Sequence, residues 1–413
     1  MNKTLDVYLN TELVGNLALD ANDEMTFTYS DKATRPISVG MSLEQKTFAS
    51  NHCEAFFGGL LPEANTARRA LGRRFGINAE NTFSLLRAIG AECAGALSIL
   101  EAGSIIPVEQ PGEIEILSAR ELAGYMRELP QRPLFVGVNG IRLSLAGVQD
   151  KAAVSVTPVG IGVPAGGPTT HILKPDLRQA PGVIHCEHLC MKTASRLGID
   201  AASVQLGKAE DQVYLLVERY DRQRAKEPTV LNRIHQEDFC QALAIPSRKK
   251  YQEDGGPSLK NCFELLNKTA VPAKERIHLL TIVIFNFLVG NMDAHGKNFS
   301  LLHSSRGIRL APLYDVISTA AFPEYSQQMA MDIGDYFEPE QIYAYHWREL
   351  CSDIGYSYRA FQKTARLLYT NLPEAVETEY AKMQAAGWSH PACEQAIEII
   401  KSNCSELQSR LNV

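Results

Sequence analysis

The stretch VGNMDAHGKNFSLL (289–302) sets an acid, an imidazole, an ammonium and an amide within six positions, Asp293 to Asn298, directly after a strongly apolar segment. Alone, the pattern D-x-H-x-x-N is that of a polar Asx-type turn. Its company changes the reading. Lys174 closes the strand-like HILK, Glu187 lies in the helical pattern that follows, and Asp315 stands further on in LAPLYDVIST. Phosphoryl transfer outside the P-loop class uses this set in this order: a strand lysine on the phosphates, a helix glutamate that fixes it, a loop aspartate for the attacking hydroxyl, an asparagine five residues later and a second aspartate, both on metal.

A loose phosphoryl transition state needs little covalent help, so positioning and charge neutralisation carry most of the catalysis. Asn298 and Asp315 supply the hard oxygen donors that suit Mg²⁺. Asp293 is placed to accept or orient the proton of the attacking hydroxyl. His295 and Lys297 could each reach the transferring phosphate. Upstream, LSLAGVQDKAAV (143–154) offers backbone N–H groups from Ala146 to Lys151 as a phosphate cradle, with Lys151 as a further cation.

Competing signatures fail on physical grounds. GIGVPAG (160–166) imitates a dinucleotide fingerprint, but Pro164 and Pro168 deny it the helix that must follow, and it reads as a hairpin turn. GNMDAHGK misses a Walker loop by one residue, and Asn298 stands where Ser or Thr should hold magnesium. In HCEHLC, His185 and His188 fall on one side of a helix and Cys186 and Cys190 on another, so the cluster is read as helix positions rather than a zinc site.

The elements that must position these residues follow from periodicity. Residues 1–105 alternate in short strand-like pieces and then turn helical. EAGSIIPVEQPGEIEI reads as a linker at the start of a strand-rich region taken as 106–221, and from about 133 to 221 the period is mostly two: KAAVSV and HILKP as strands, GIGVPAGGPTT as a turn, GVIHCEHLCMKTASRLG as a helix and ASVQLGKAEDQVYLLVERYDR as a hairpin. The last region is taken as 222–413, and beyond 235 helical patterns dominate it. A strand-rich unit followed by a helix-rich unit predicts two lobes with a cleft between them.

Composition agrees with an ordinary globular chain. Its 413 residues exceed what one core usually serves, and 45% hydrophobic with 21% charged content is typical. A net charge of −6 argues against a chain that coats nucleic acid, and the arginines 68, 69, 73 and 74 read as a solvated helix face. The most apolar run, 279–290, is too short to span a bilayer. The start, MNKTLDVYLN, lacks the apolar core of a secretion signal. Nine scattered cysteines suggest reduced thiols and a cytoplasmic setting.

The chain resembles the HipA family of bacterial serine/threonine kinases, the toxin halves of HipBA-type toxin–antitoxin pairs. LLPE, IGAECAGALS, SLAGVQDKAAV, TTHILKP, ERYDR, HQEDFCQALAIPSRKKYQEDGGPS, FLVGNMDAHGKNFSLL and LAPLYDVIST carry the resemblance along nearly the whole chain. It implies an α+β fold: a two-lobed, protein-kinase-like body with an N-terminal α/β subdomain and a mostly helical C-terminal lobe. It also implies ATP and Mg²⁺ as cofactors. The phosphate loop would comprise Ala146, Gly147, Val148, Gln149, Asp150 and Lys151, the phosphate lysine would be Lys174, and the adenine-contacting hinge Glu218, Arg219 and Tyr220. His295, Gly296, Lys297 and Asn298 would contact nucleotide, Asp293 would accept the proton, and Tyr314 with Asp315 would complete the site. Ser144 stands where the family autophosphorylates, expelling the phosphate loop. Val148, Asp150 and Ala152 depart from the family's AGAQEKT, and the phosphate contact at Ala152 is expected to differ.

The family's targets are aminoacyl-tRNA synthetases, commonly the glutamyl enzyme. Its partner is a small HipB-like helix-turn-helix antitoxin, through which the complex sits on operator DNA and represses its own operon. Two other readings stay open from the sequence: a catalytically weak co-repressor in an antitoxin–DNA complex, and a small-molecule or lipid kinase.

Overall fold

The computed structural model describes residues 3–104, 114–135, 149–164, 169–224 and 231–411. Ser144, Ala146, Gly147, Val148 and most of the linker reading lie outside them. The N-terminal unit is a five-stranded antiparallel sheet in the order β4-β3-β2-β1-β5, built from β1 (Thr4–Leu9), β2 (Glu12–Leu19), β3 (Met25–Tyr29), β4 (Thr47–Phe48) and β5 (Leu97–Glu101). Three helices, α1 (Ser50–Gly58), α2 (Asn65–Phe75) and α3 (Thr82–Ile89), intervene before β5. In β3 the period-two pattern buries Met25, Phe27 and Tyr29 and turns Thr26 and Thr28 outward. Arg69, Arg73 and Arg74 on α2 are exposed, a solvated face.

The second sheet runs β10-β11-β9-β7-β8-β6, antiparallel throughout its pairings. It comprises β6 (Ile114–Ile116), β7 (Ala152–Thr157), β8 (Gly160–Pro164), β9 (His171–Pro175), β10 (Val204–Ala209) and β11 (Gln212–Glu218), with α4 (Ala119–Glu128) on one face and α5 (Val183–Arg196) on the other. Strand alternation sorts the faces: Tyr214 and Leu216 pack with α4, whereas Leu215 and Val217 pack with α5. On β9 the same alternation puts Leu173 with α4 and sends Lys174 to the opposite face. GIGVP, read from sequence as a turn, is strand β8. Val163 alternates into the core, Gly162 gives the close approach to the Glu115 carbonyl, and the chain reverses one step earlier at Pro158 and Val159.

The C-terminal lobe opens with the ribbon β12 (Arg222–Arg224) and β13 (Leu231–Arg233). A three-stranded sheet follows, formed by β14 (His235–Asp238), β15 (Ser300–Ser304) and β16 (Gly307–Leu310). Around it stand α6 (Phe239–Ala242), α7 (Leu259–Leu265), α8 (Pro272–Val289), α9 (Ala344–Asp353), α10 (Tyr358–Ala385) and α11 (Pro391–Leu411). The apolar run is most of α8, a buried core helix; no described helix is long and apolar enough to cross a membrane. Helix α5 precedes residue 221, yet its buried face joins the core of α8, α10 and α11. Cys186 and Cys190 lie in that core and His185 stacks on His390, so HCEHLC is helix packing, and among the described residues no three His, Cys, Asp or Glu side chains gather as metal ligands would. All nine cysteines are free and buried.

Candidate active site

Helix α8 ends at Gly290, whose φ of +69° is the left-handed cap that a Cβ would disfavour. That cap hands the chain to residues 291–298. Asn291 braces the exit by donating from Nδ2 to Asn286 Oδ1 at 2.9 Å and accepting the Asp293 N–H at 3.2 Å. The Met292 N–H donates to Thr319 Oγ1 at 2.8 Å. Two bonds then close the turn: His295 N–H to the Asp293 carbonyl at 2.8 Å, and Asn298 Nδ2 to the same carbonyl at 2.8 Å. The five-residue step from Asp293 to Asn298 is therefore a closed loop. Its acid receives a hydrogen bond from the Tyr251 hydroxyl at 2.6 Å, and burial raises the Asp293 carboxyl above its ordinary range.

From the sheet side, Lys174 Nζ lies 2.7 Å from Glu187 Oε1, one turn into α5, and 2.6 Å from Asp315 Oδ1. Burial alone would raise the Asp315 carboxyl, but the ammonium groups of Lys174 and Lys151 outweigh it and hold that carboxyl well below the usual range. Glu187 is almost fully buried and moves the other way, raised by desolvation. Asp315 sits at φ +57°, a left-handed conformation that Asp tolerates better than most residues. Beside it, the Tyr314 hydroxyl donates to the Lys297 carbonyl at 2.7 Å and pairs with Ser300 Oγ at the same distance.

These groups line one cavity of about 730 Å³, within the range of small-molecule sites. Gln149, Asp150, Lys151, Glu218, Arg219, Tyr220, His295, Lys297, Asn298 and Tyr314 line it too, whereas Gly296 is buried against Pro257. The cavity brings the described candidates together without giving them equal freedom. The Arg219 guanidinium is bound to Glu92, Asp221 and Thr169, and Lys297 Nζ is held by Asp238 at 2.6 Å and the Gly59 carbonyl at 3.2 Å. His295 packs edge-on to Tyr251, and burial pushes its pKa down to about 3, so its imidazole is neutral. The ammonium of Lys297 is thus already paired within the protein, and His295 presents an uncharged ring to the cavity.

The donor set fits a magnesium–nucleotide complex. Because Asn298 spends its NH₂ on the Asp293 carbonyl, its amide oxygen is left for a cation, and Asp315 offers an ionised carboxylate. Asn298 and Asp315 would be the residues to hold Mg²⁺, a hard cation that oxygen donors suit.

Family models of the HipA N-terminal domain and the HipA-like C-terminal domain match residues 5–100 and 143–386. The chain belongs to the HipA family. It is similar to a Sinorhizobium fredii protein named putative kinase Y4mE, 38% identical over 91% of each chain. It is also similar to the serine/threonine-protein kinase toxin HipA of Shewanella oneidensis, 29% identical over 90% of this chain and 88% of that one. The fold matches S. oneidensis HipA, solved in a complex with HipB and operator DNA, with a TM-score of 0.85 at 26% identity, covering 99% of this chain and 98% of that one. The two-lobed α+β architecture is therefore that of HipA.

Within this HipA-family site, three residues carry contacts that motif reading did not assign. Tyr251 holds Asp293, Lys250 stands beside both, and Glu63 enters from the N-terminal unit to meet Lys250. Their one trace in the sequence is that Lys250 and Tyr251 fall in SRKKYQEDGGPS and Glu63 in LLPE.

Proposed function

We propose that this HipA-family chain is an ATP- and Mg²⁺-dependent protein serine/threonine kinase and the toxin half of a type II toxin–antitoxin pair. The observation that carries the reading is the convergence of Asp293, Asn298, Asp315, Lys174 and Glu187 on one cavity. Asp293 takes the proton of the acceptor hydroxyl as its oxygen bonds to the γ-phosphorus and the bond to the β–γ bridging oxygen breaks, releasing ADP. Lys174, fixed by Glu187, neutralises charge on the phosphates. Asn298 and Asp315 hold Mg²⁺, which when bound offsets negative charge on the transferring group.

The acceptor class we assign is a serine of an aminoacyl-tRNA synthetase, with Ser144 as the site of self-inactivation. A HipB-like helix-turn-helix antitoxin is the proposed partner. Through it the chain would sit on operator DNA and repress its own operon, in line with the HipB and operator DNA that accompany the S. oneidensis protein. The test compares phosphoproteomes after brief expression of the wild type and Asp293→Asn, alongside transfer of label from ATP in vitro. Asp293→Asn should lower transfer by about 10²–10⁴-fold while still binding an ATP analogue. Undiminished transfer would remove Asp293 from the mechanism, and no transfer by the wild type would favour a co-repressor without catalysis.

A further inference from the structure

Glu63 belongs to the N-terminal unit, just ahead of α2, yet its carboxylate lies in the wall of the cavity. Oε2 is 2.9 Å from Lys250 Nζ and Oε1 is 3.8 Å from Lys297 Nζ, all three side chains being nearly buried. Four positions earlier, the Gly59 carbonyl accepts from Lys297 Nζ. The N-terminal unit therefore grips the segment around the catalytic loop at two points. Lys250 is the more consequential of them. Its carbonyl accepts the Gly296 N–H at 3.2 Å, its neighbour Tyr251 holds Asp293, and its ammonium acts electrostatically on both Asp293 and His295.

Lys250 thus has two anions within its influence, and Glu63 has captured it. A buried ammonium that loses its partner must find another or bear a large desolvation cost. With Glu63 neutralised, that charge still acts on the carboxylate of Asp293, the group that must face the acceptor hydroxyl.

We propose that Glu63 is a positioning residue of the transfer reaction: the N-terminal unit anchors Lys250 through Glu63, and so keeps Asp293 on Tyr251 and directed at the acceptor. The inference rests on the kinase reading above and extends it, since it makes the N-terminal unit part of the catalytic apparatus. A misplacement of about 1 Å can cost on the order of 10²-fold in rate. Nucleotide affinity should be spared, because neither Glu63 nor Lys250 belongs to the proposed nucleotide contacts.

Five full-length proteins test it: wild type, Glu63→Gln, Glu63→Asp, Lys250→Met and the double variant Glu63→Gln with Lys250→Met. Transfer of label from ATP into a bacterial protein extract is measured alongside titration with a non-hydrolysable ATP analogue. Glu63→Gln should lose about tenfold or more in kcat with analogue affinity within about twofold of wild type. Adding Lys250→Met should restore much of that loss, because the stray ammonium is gone, and Glu63→Asp should retain more activity than Glu63→Gln. Wild-type rates in Glu63→Gln, additive losses in the double variant, or a parallel fall in analogue binding would each overturn the role. A wild type without transfer would instead remove the kinase reading itself, so the two failures are distinguishable.

Discussion

Tyr251 donates its hydroxyl hydrogen to Oδ1 of Asp293 across 2.6 Å, the shortest-range restraint on the acid that faces the cavity. Burial raises the Asp293 carboxyl and the Tyr251 bond opposes it by favouring the charged form. As a base, Asp293 works when ionised, so activity should fall as pH drops through its pKa.

Tyr251→Phe removes that opposing bond and leaves the burial. The Asp293 carboxyl should therefore hold its proton to higher pH, and the acid limb of the pH profile of kcat/KM should move upward relative to wild type. A loss of about tenfold in kcat is expected at the plateau from poorer orientation. A limb that stays in place, or moves to lower pH, would show that Tyr251 does not tune the base.

What the sequence disclosed and what it hid divide along a physical line. That Lys174, Glu187, Asp293, Asn298 and Asp315 share one cavity was legible because the proposed chemistry would demand fixed types at element ends, and a strand followed by a helix brings Lys174 to Glu187 over a short span. The Tyr251–Asp293 bond joins residues 42 apart and Lys250–Glu63 joins residues 187 apart, between types that occur anywhere on a surface. No local period encodes such contacts. Gly160–Pro164 was misread because glycine and proline outweighed the alternation of Ile161 and Val163 that makes it a strand. Nor does spacing reveal whether a lysine is committed: Lys297 stands in the loop motif, but Asp238 holds its ammonium.

The ion pair of Lys174 and Glu187 separates stability from activity. Lys174→Met leaves the Glu187 charge buried and unpaired, a loss of about 3–5 kcal/mol by the behaviour of such pairs, and transfer should vanish. Replacing both, Lys174→Met with Glu187→Leu, should recover most of the urea midpoint because the buried charge is gone, yet no activity should return. Recovery of transfer in the double variant would show that the phosphates do not need this cation.

Gly290 tests the hand-over from α8 to the loop. At φ +69° an alanine is strained, and its Cβ would stand 3.1 Å from both Ala320 Cβ and Ile399 Cγ2. Gly290→Ala should cost about 1–2 kcal/mol in unfolding free energy from the left-handed backbone alone. It should also depress kcat more than analogue affinity, because the loop that follows carries Asp293. Equal stability and activity in the variant would mean that the loop is not registered by this cap.

His235 ties the N-terminal unit to the C-terminal sheet. Its Nε2 donates to the Ile37 carbonyl at 2.7 Å, its ring is buried beside His303, and burial pushes its pKa down to about 3. In the unfolded chain the same imidazole titrates near the ordinary value of about 6.5. The sign follows from proton binding. Between these two values the unfolded state takes up a proton that the folded state refuses, so the contribution of His235 is complete above about pH 6.5 and is lost as pH falls toward 3. At pH 5 this single group should cost about 2 kcal/mol. His235→Gln removes the titration, so the difference in unfolding free energy between pH 7.5 and pH 5, read from urea melts, should shrink by about that amount. The neutral imidazoles of His188 and His295, also depressed by burial, keep their own slope in the variant and leave the difference attributable to position 235. An unchanged pH dependence would show that the His235 ring is not closed to protons in the folded protein.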